Sequence, residues 1–150
     1  ARWTSNVVAF LTAHHLDGIQ VDDVDGVRRH YFRGETKYAT DQAWQDAHAA
    51  FHANAVSALR NRGFWVVSNT AGPSSFLTRI ANLSDAVMLE NYKGESDTVQ
   101  AVIAGGAVVV PLAFGSPDTY RAAFKNVDRG NGVFLYEPPG GGDPWGTWTS

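Results

Sequence analysis

The segment "DGIQVD", residues 17–22, decides how the rest of the chain is interpreted. It is a short apolar run enclosed by aspartates, and further acidic residues follow it directly. Side chains alternate between the two faces of a strand, so Gln20 and Asp22 share one face while Ile19 and Val21 share the other. The pattern predicts a strand whose apolar face packs against helices and whose polar face ends in a carboxylate.

Two later segments repeat this template of a polar opener, a small residue, mostly apolar residues and a polar group at the end. They are "DAVMLE" at residues 85–90 and "NGVFLY" at residues 131–136. Further strand-like runs occupy residues 64–69 and 107–114, and a helical pattern separates each run from the next. Strands that alternate with single helices pair in parallel through right-handed crossovers, so the sequence predicts an α/β protein.

The clearest helical pattern covers residues 40–63. Thr40 is a candidate N-cap, and Gly63 suits the position just after a helix end. Helical spacing predicts a buried face on this helix, made of Trp44, Ala47, Phe51, Ala55 and Leu59. His48 and His52, one turn apart on the same helix, are predicted to lie on a solvated face.

Two architectures fit five strand units of this kind: a closed (β/α)8 barrel and a small open parallel sheet of the flavodoxin type. A dinucleotide-binding sheet would show a G-x-G-x-x-G turn between a strand and a helix, and none occurs in that context. The repeated template favours the barrel, because barrel enzymes place their chemistry at the carboxyl ends of the strands. Asp22, Glu90 and Tyr136 each occupy the last position of the repeated template, so all three are expected at the carboxyl ends of their strands, which form the rim of the barrel. Asn69 ends a fourth strand.

The segments "LDGIQVDD", "GFWVVSNTAG" and "DAVMLENY" resemble, in order and spacing, the glycoside hydrolase barrels related to the endo-α-1,4-polygalactosaminidases. The resemblance covers most of the chain and implies about strands four to eight of a barrel. It also implies that the acids ending strands four and six, Asp22 and Glu90 in this chain, form the catalytic pair. The chain departs from the family pattern at Gln20, Val21 and Asp23, and these departures affect the expected substrate rather than the expected fold.

Cleavage of a glycosidic bond requires two such groups, one to protonate the leaving oxygen and one to attack or to activate water. We expect Asp22 to be the ionised group and Glu90, on the more apolar strand, to be the proton donor; the reverse assignment stays open. The residues expected to bind substrate are Asn69, Asp23, Tyr136, Tyr92 and Trp145. The polar residues that open the three template strands, Asp17, Asp85 and Asn131, are predicted to be turn or cap residues.

Composition narrows the classes of function. The chain has 150 residues, 44% of them hydrophobic, and a formal net charge of -3, with no basic tract suited to a row of phosphates. Nucleic acid is therefore not expected as a partner, and neither is a membrane, since no apolar run has the roughly 18 residues that a span needs. The chain has no cysteine, and neither calcium-loop nor zinc-protease spacing occurs. We expect neither a metal nor a cofactor.

Length sets the remaining expectation, because a complete barrel takes about 250 residues. We expect part of a barrel at residues 1–137, completed by an N-terminal segment of the same parent chain or by a separate piece, and an exit loop or linker rich in glycine and proline at residues 138–150. The leading function is an extracellular or virion-associated glycosidase that acts on a polysaccharide. The alternative is a non-catalytic carbohydrate-binding or structural barrel module of a larger surface or viral assembly.

Overall fold

The computed structural model describes residues 2–27, 38–90, 96–114 and 135–137. Helices and strands alternate along these residues: α1 Arg2–Ala13, β1 Gly18–Asp25, α2 Asp41–Phe51, a π-helical turn His52–Val56, α3 Ser57–Arg60, β2 Trp65–Ala71, α4 Ser74–Ala81, β3 Ala86–Glu90, α5 Ser96–Ala104, β4 Val108–Phe114 and β5 Leu135–Glu137. The predicted α/β class is confirmed. None of the described helices is long and apolar enough to cross a membrane. The linker predicted at residues 138–150 lies outside the described residues.

The five strands form one parallel sheet in the order β1-β2-β3-β4-β5, so each strand pairs with its neighbours in the sequence. A flavodoxin-type sheet, one of the two predicted architectures, instead reverses its strand order at a switch point. Among the described strands no such reversal occurs. An arc of a larger parallel sheet and a small open sheet without a switch point both have the observed order.

The helices cover one face of this sheet, and the core lies between that face and the helices. The buried core residues on this side include Val56, Leu59, Val66, Phe76, Ile80, Val87, Leu89, Val99, Val102 and Val109. On the opposite face Trp65 is 58% exposed and Val108 is 39% exposed. Apolar surface of the sheet is therefore open to solvent in the part of the chain that the structure describes.

The long helix predicted over residues 40–63 is present, but its buried face differs from the prediction. Thr40 caps the helix as predicted, since its Oγ1 accepts a hydrogen bond from the Ala43 N–H at 3.1 Å. Gly63 follows the helix end with a φ of 84°. The residues that are buried are Gln45, Ala49, His52, Val56 and Leu59. Of the predicted buried face, only Leu59 is confirmed. The prediction counted apolar residues alone, whereas the fold also buries Gln45 and His52, which find hydrogen-bond partners.

Gly18 shows why the first strand begins with Asp-Gly. A Cβ atom at this position would overlap the carbonyl oxygen of Trp65 on β2, so no larger residue fits there. The Trp65 N–H donates a hydrogen bond to the Asp17 carbonyl oxygen at 2.8 Å, which opens the ladder between the two strands. Close approach of the two backbones at this point sets the register that carries through to the carboxyl end of the sheet.

Candidate functional site

A β-bulge shapes the carboxyl end of β1, where the sequence predicted strict alternation. Asp22 and Asp23 of β1 together stand opposite Asn69 of β2, and Asp23 takes a left-handed φ of 54°. The extra residue turns Val24 to the helix side of the sheet, where it is buried at 1% exposure. Bulges are frequent beside active sites, because they re-aim the side chains around them.

Asp22 is held through one oxygen. Its Oδ1 accepts a hydrogen bond from Asn69 Nδ2 at 2.7 Å and another from the Asp23 backbone N–H at 3.0 Å. Its Oδ2 has no hydrogen-bond partner among the described residues, and Asp22 is exposed whereas Asn69 is buried. A carboxylate that is fixed through one oxygen and open at the other is placed to take a proton or to attack a carbon atom.

Glu90 ends β3 on the same face of the sheet as Asn69. Asn69 pairs with Met88, and Glu90 lies two residues further along that strand. With strands about 4.8 Å apart and a rise of about 3.3 Å per residue, the Cα atoms of Asp22 and Glu90 would be roughly 12 Å apart in a flat sheet. Glu90 is exposed, so any burial of this acid would have to come from outside the described residues.

The other residues predicted to bind substrate are placed in part. Asp23 is exposed at the bulge, next to the hydrogen-bonded side chains of Asp22 and Asn69. Tyr136 belongs to β5 and pairs with Ala113 of β4. Tyr92 and Trp145 lie outside the described residues. The structure therefore gathers three predicted site residues at the end of β1 and β2, and Glu90 at the end of the next strand.

At the amino end of the sheet, Asp85 connects neighbouring elements, where the sequence predicted a turn or cap residue. Its Oδ2 accepts the Val66 N–H at 2.9 Å, and its Oδ1 accepts a charged hydrogen bond from Arg60 Nε at 3.0 Å. Its backbone N–H donates to the Val66 carbonyl oxygen, and its carbonyl oxygen accepts the Val108 N–H. One residue thus joins α3 to the beginnings of three neighbouring strands.

A buried hydrogen-bond network behind the site was missed by sequence reasoning. His52, predicted on a solvated face, is fully buried, with Nδ1 3.0 Å from the His48 carbonyl oxygen and Nε2 3.1 Å from Ser68 Oγ. Ser68 Oγ lies 2.7 Å from Ser84 Oγ. Because a carbonyl oxygen only accepts, the network assigns the proton of the neutral ring to Nδ1, and Nε2 accepts from the Ser68 hydroxyl. A serine inside the apolar run "FWVVSN" was the available signal, since a buried hydroxyl needs a partner.

Both histidines of this helix have a pKa below the ordinary value of about 6.5. Burial is the main cause of the lowered pKa in each. At His48 the nearby Asp25 carboxylate opposes the effect of burial. At His52 the hydrogen bond to the His48 backbone opposes it, and the charge of the His48 ring adds to it. The neutral rings are therefore the forms that the fold favours.

A cavity of about 320 Å³ lies beside the carboxyl end of β1. Asp22 lines it together with mostly aromatic side chains, namely Tyr38, Trp44, His48, Phe51 and His52. Trp44 Nε1 donates a hydrogen bond to the Asp25 carbonyl oxygen at 2.8 Å, which ties the aromatic wall to the strand. Aromatic walls beside a carboxylate suit a ligand that has an apolar ring face and a polar edge.

No group of three metal-ligating side chains occurs within the described ranges. No protein-family profile, curated protein or solved structure matches this chain. The fold and the site together define an α/β protein with a sequentially ordered parallel sheet and exposed carboxylates at the carboxyl ends of two of its strands.

Proposed function

We propose that the chain is the C-terminal part, about strands four to eight, of a (β/α)8 barrel glycoside hydrolase in which Asp22 and Glu90 cleave a polysaccharide. The observation that carries this proposal is the 2.7 Å contact between Asn69 Nδ2 and Asp22 Oδ1 at the bulge, which leaves the second carboxylate oxygen open. The sequential strand order and the helices on one face support the barrel, because a barrel is such a sheet closed on itself.

The surroundings of the two acids support different roles for them. The Asn69 amide and the Asp23 N–H both donate to Asp22 and orient its carboxylate toward an attack or a water molecule. Glu90 forms no salt bridge or hydrogen bond with a described residue, so its side chain is available to contact a leaving oxygen. We therefore assign Asp22 as the nucleophile or base and Glu90 as the donor of a proton to the leaving oxygen.

The separation of the strands leaves room for a sugar between the two acids. Carboxyl groups about 5 to 5.5 Å apart give retention of configuration, and groups about 6.5 to 9.5 Å apart give inversion. A Cα separation of roughly 12 Å brings two side chains that extend toward each other into this range.

An amino-sugar polymer is the substrate class that this site fits best. Asp22 and Asp23 are both exposed at the rim, and the chain carries a net charge of -3. A polymer with ammonium groups would be attracted to such a rim. The resemblance to the polygalactosaminidase-related barrels agrees with this class.

The test is hydrolysis of a polysaccharide panel by the complete protein, with this chain joined to the segment that completes the barrel. We expect release of reducing ends from an amino-sugar polymer, and a loss of at least about a hundredfold in Asp22→Asn and in Glu90→Gln. Asp46→Asn is the matched control, because Asp46 is an exposed acid of α2 that pairs with Arg79 outside the site. The proposal fails if the three variants have equal rates, or if the parent retains the polymer without cleaving it.

A further inference from the structure

We propose that Gln45, a buried residue of α2, is a positioning residue for Asp22. Its side chain holds the segment that follows the bulge, and this hold keeps the Asp22 carboxylate against Asn69. The inference rests on the proposed function, which assigns Asp22 as the group that attacks or activates water. It extends the machinery of that reaction to a helix behind the sheet.

The bulge interrupts the pairing of β1 with β2 at the residue that carries the proposed chemistry. Regular pairing stops after Val21 and resumes at Val24, and β1 ends at Asp25. Asp22 lies in the interrupted stretch, so its position depends on how the backbone is held on each side. The ladder holds the side that precedes Asp22. The side that follows it has only two paired residues before the strand ends.

Side chains supply the remaining hold on this short segment. Three of them each donate a hydrogen bond to a backbone carbonyl oxygen of the segment: Thr70 Oγ1 to Val24, Trp44 Nε1 to Asp25 at 2.8 Å, and Gln45 Nε2 to Gly26 at 2.7 Å. We call these three donors the carbonyl clamp. Two of them belong to α2, so the carbonyl clamp ties the end of β1 to this helix.

Gln45 is the member of the carbonyl clamp whose burial has no apolar explanation. It is 8% exposed, whereas Gln42 and Asp46 of the same helix are exposed. Gly26 is buried as well. A buried amide or carbonyl group costs free energy unless it is hydrogen-bonded, so each of the two groups depends on the other.

Gly26 transmits this hold toward the bulge, because both of its backbone polar groups are engaged. Its N–H donates to the Ala71 carbonyl oxygen of β2 at 2.6 Å, and its carbonyl oxygen accepts from Gln45 of α2. A Cβ atom on Gly26 would lie 2.7 Å from Phe76 Cδ1 and 3.1 Å from Gly72 Cα, so the segment is closely packed. Loss of the Gln45 donor would free one side of a segment that begins two residues after Asp22. Small displacements of a reacting group lower the rate strongly.

The first measurement does not depend on catalysis. In the isotope-labelled complete protein, the side-chain amide protons of Asn69 report the hydrogen bond to Asp22, because such a bond moves a proton resonance downfield. Gln45→Met removes the donor and keeps a side chain of similar length. Gln42→Met is the matched control, since Gln42 donates to Asp46 on the exposed side of the same helix. We expect the Asn69 resonance to move upfield in Gln45→Met and to stay in place in Gln42→Met.

The second measurement is hydrolysis by the same complete protein. In Gln45→Met we expect kcat to fall about tenfold, because the nucleophile is misplaced. KM should stay within about twofold of the parent, since a buried residue behind the sheet offers no contact to the substrate. Gln42→Met should keep both values. Rates are compared well below the unfolding midpoint of each variant, so that a loss of stability does not lower them.

A third variant restores the donor as the pH falls. The protonated acid of Gln45→Glu can donate to the Gly26 carbonyl oxygen, whereas the ionised carboxylate repels it. We expect the ratio of its kcat to that of the parent to rise as the pH falls, and the Asn69 resonance to return with it. The same ratio for Gln45→Met should be independent of pH. A purely structural role of Gln45 would not move these ratios in folded protein.

Two results would overturn the inference. One is an Asn69 resonance that is the same in Gln45→Met and Gln42→Met, and the other is an unchanged kcat of Gln45→Met in an active parent. If Gln45→Met does not fold, Gln45→Glu at low pH and Trp44→Phe, which removes a second donor and keeps an aromatic ring, decide by the same resonance. A parent that cleaves no polysaccharide refutes the proposed function instead, and the Asn69 resonance still decides whether Gln45 positions Asp22.

Discussion

Asp22 and Asp85 are aspartates at opposite ends of the same sheet, and their surroundings differ in one decisive respect. Both oxygens of Asp85 accept hydrogen bonds, one from Val66 and one from Arg60. Only one oxygen of Asp22 does so among the described residues. A carboxylate that is engaged at both oxygens therefore serves the fold, whereas one that is oriented and left open is available for chemistry.

The backbone has left-handed residues near both ends of the sheet. At the amino end His15 has a φ of 53° and Gly63 has a φ of 84°. At the carboxyl end Asp23, inside the bulge, has a φ of 54°. A residue with a side chain keeps such a φ only where the surrounding structure holds it there.

The largest effect that would test this contrast is expected from Asp22→Asn. In the complete protein we expect hydrolysis to fall at least about a hundredfold, which corresponds to about 2.7 kcal/mol of activation free energy. The thermal unfolding midpoint should stay unchanged, because the amide keeps the shape of the side chain. If Asp22→Asn lowered the unfolding midpoint as much as an Asp85 variant does, Asp22 would have the same structural role as Asp85.

Asp85→Ala should have the opposite profile. Loss of the acceptor for the buried-strand N–H of Val66 and for Arg60 should lower the free energy of unfolding by about 2 to 3 kcal/mol. Most of this loss is assigned to Val66, because the Arg60 side chain is 36% exposed and its ion pair is screened by solvent.

Urea denaturation measures the effect of Asp85→Ala, with Asp46→Ala as the control. The ion pair of Asp46 with Arg79 lies on the exposed surface, so removal of its carboxylate should leave the denaturation midpoint in place. Equal midpoints in the two variants would contradict a structural role for Asp85.

Substitutions at Asp23 test the left-handed backbone of the bulge, and we expect a smaller effect from them. Asp23→Val puts a β-branched side chain at a left-handed φ and should cost about 1 to 2 kcal/mol of folding free energy. Asp23→Gly accepts the same φ freely and should be tolerated. Thermal unfolding of the two variants tests the bulge itself, since equal stability would mean that the left-handed backbone is not present in solution.

The smallest expected effect is a dependence of folding stability on pH that His52 causes. This residue lies between the two ends of the sheet. Burial lowers its pKa in the folded state, so the unfolded chain binds the proton more readily. Stability should therefore be complete above about pH 6.5 and should decline as the pH falls below that value, by at most about 1.4 kcal/mol per pH unit for one such group.

Denaturation at pH 7.5, 6.5 and 5.5 measures this dependence on pH. His52→Gln should flatten the decline, although it lowers the stability at every pH. Ser84→Ala is the control, because it weakens the same hydrogen-bond network and keeps the titrating ring. An unchanged slope in His52→Gln would assign the decline to other groups.

Much of the architecture was predictable from local patterns. The α/β class follows from apolar runs that alternate with helical patterns, and Thr40 and Gly63 mark the long helix because capping depends on local residue chemistry. Asn69 and Asp22 were predicted at the carboxyl ends of neighbouring strands, and the structure joins them.

Other features depend on contacts between distant segments, and local patterns do not contain them. The bulge arises from the fit of β1 against β2, and it moves Val24 to the face opposite the one that alternation predicts. His52 is buried because Ser68, sixteen residues away, offers a partner for its ring. Local patterns were enough to locate the helices, the strands and the acids at the strand ends. Which oxygen of Asp22 is held and which polar groups are buried depend on packing between elements that are far apart in the chain, so these features follow from the folded structure alone.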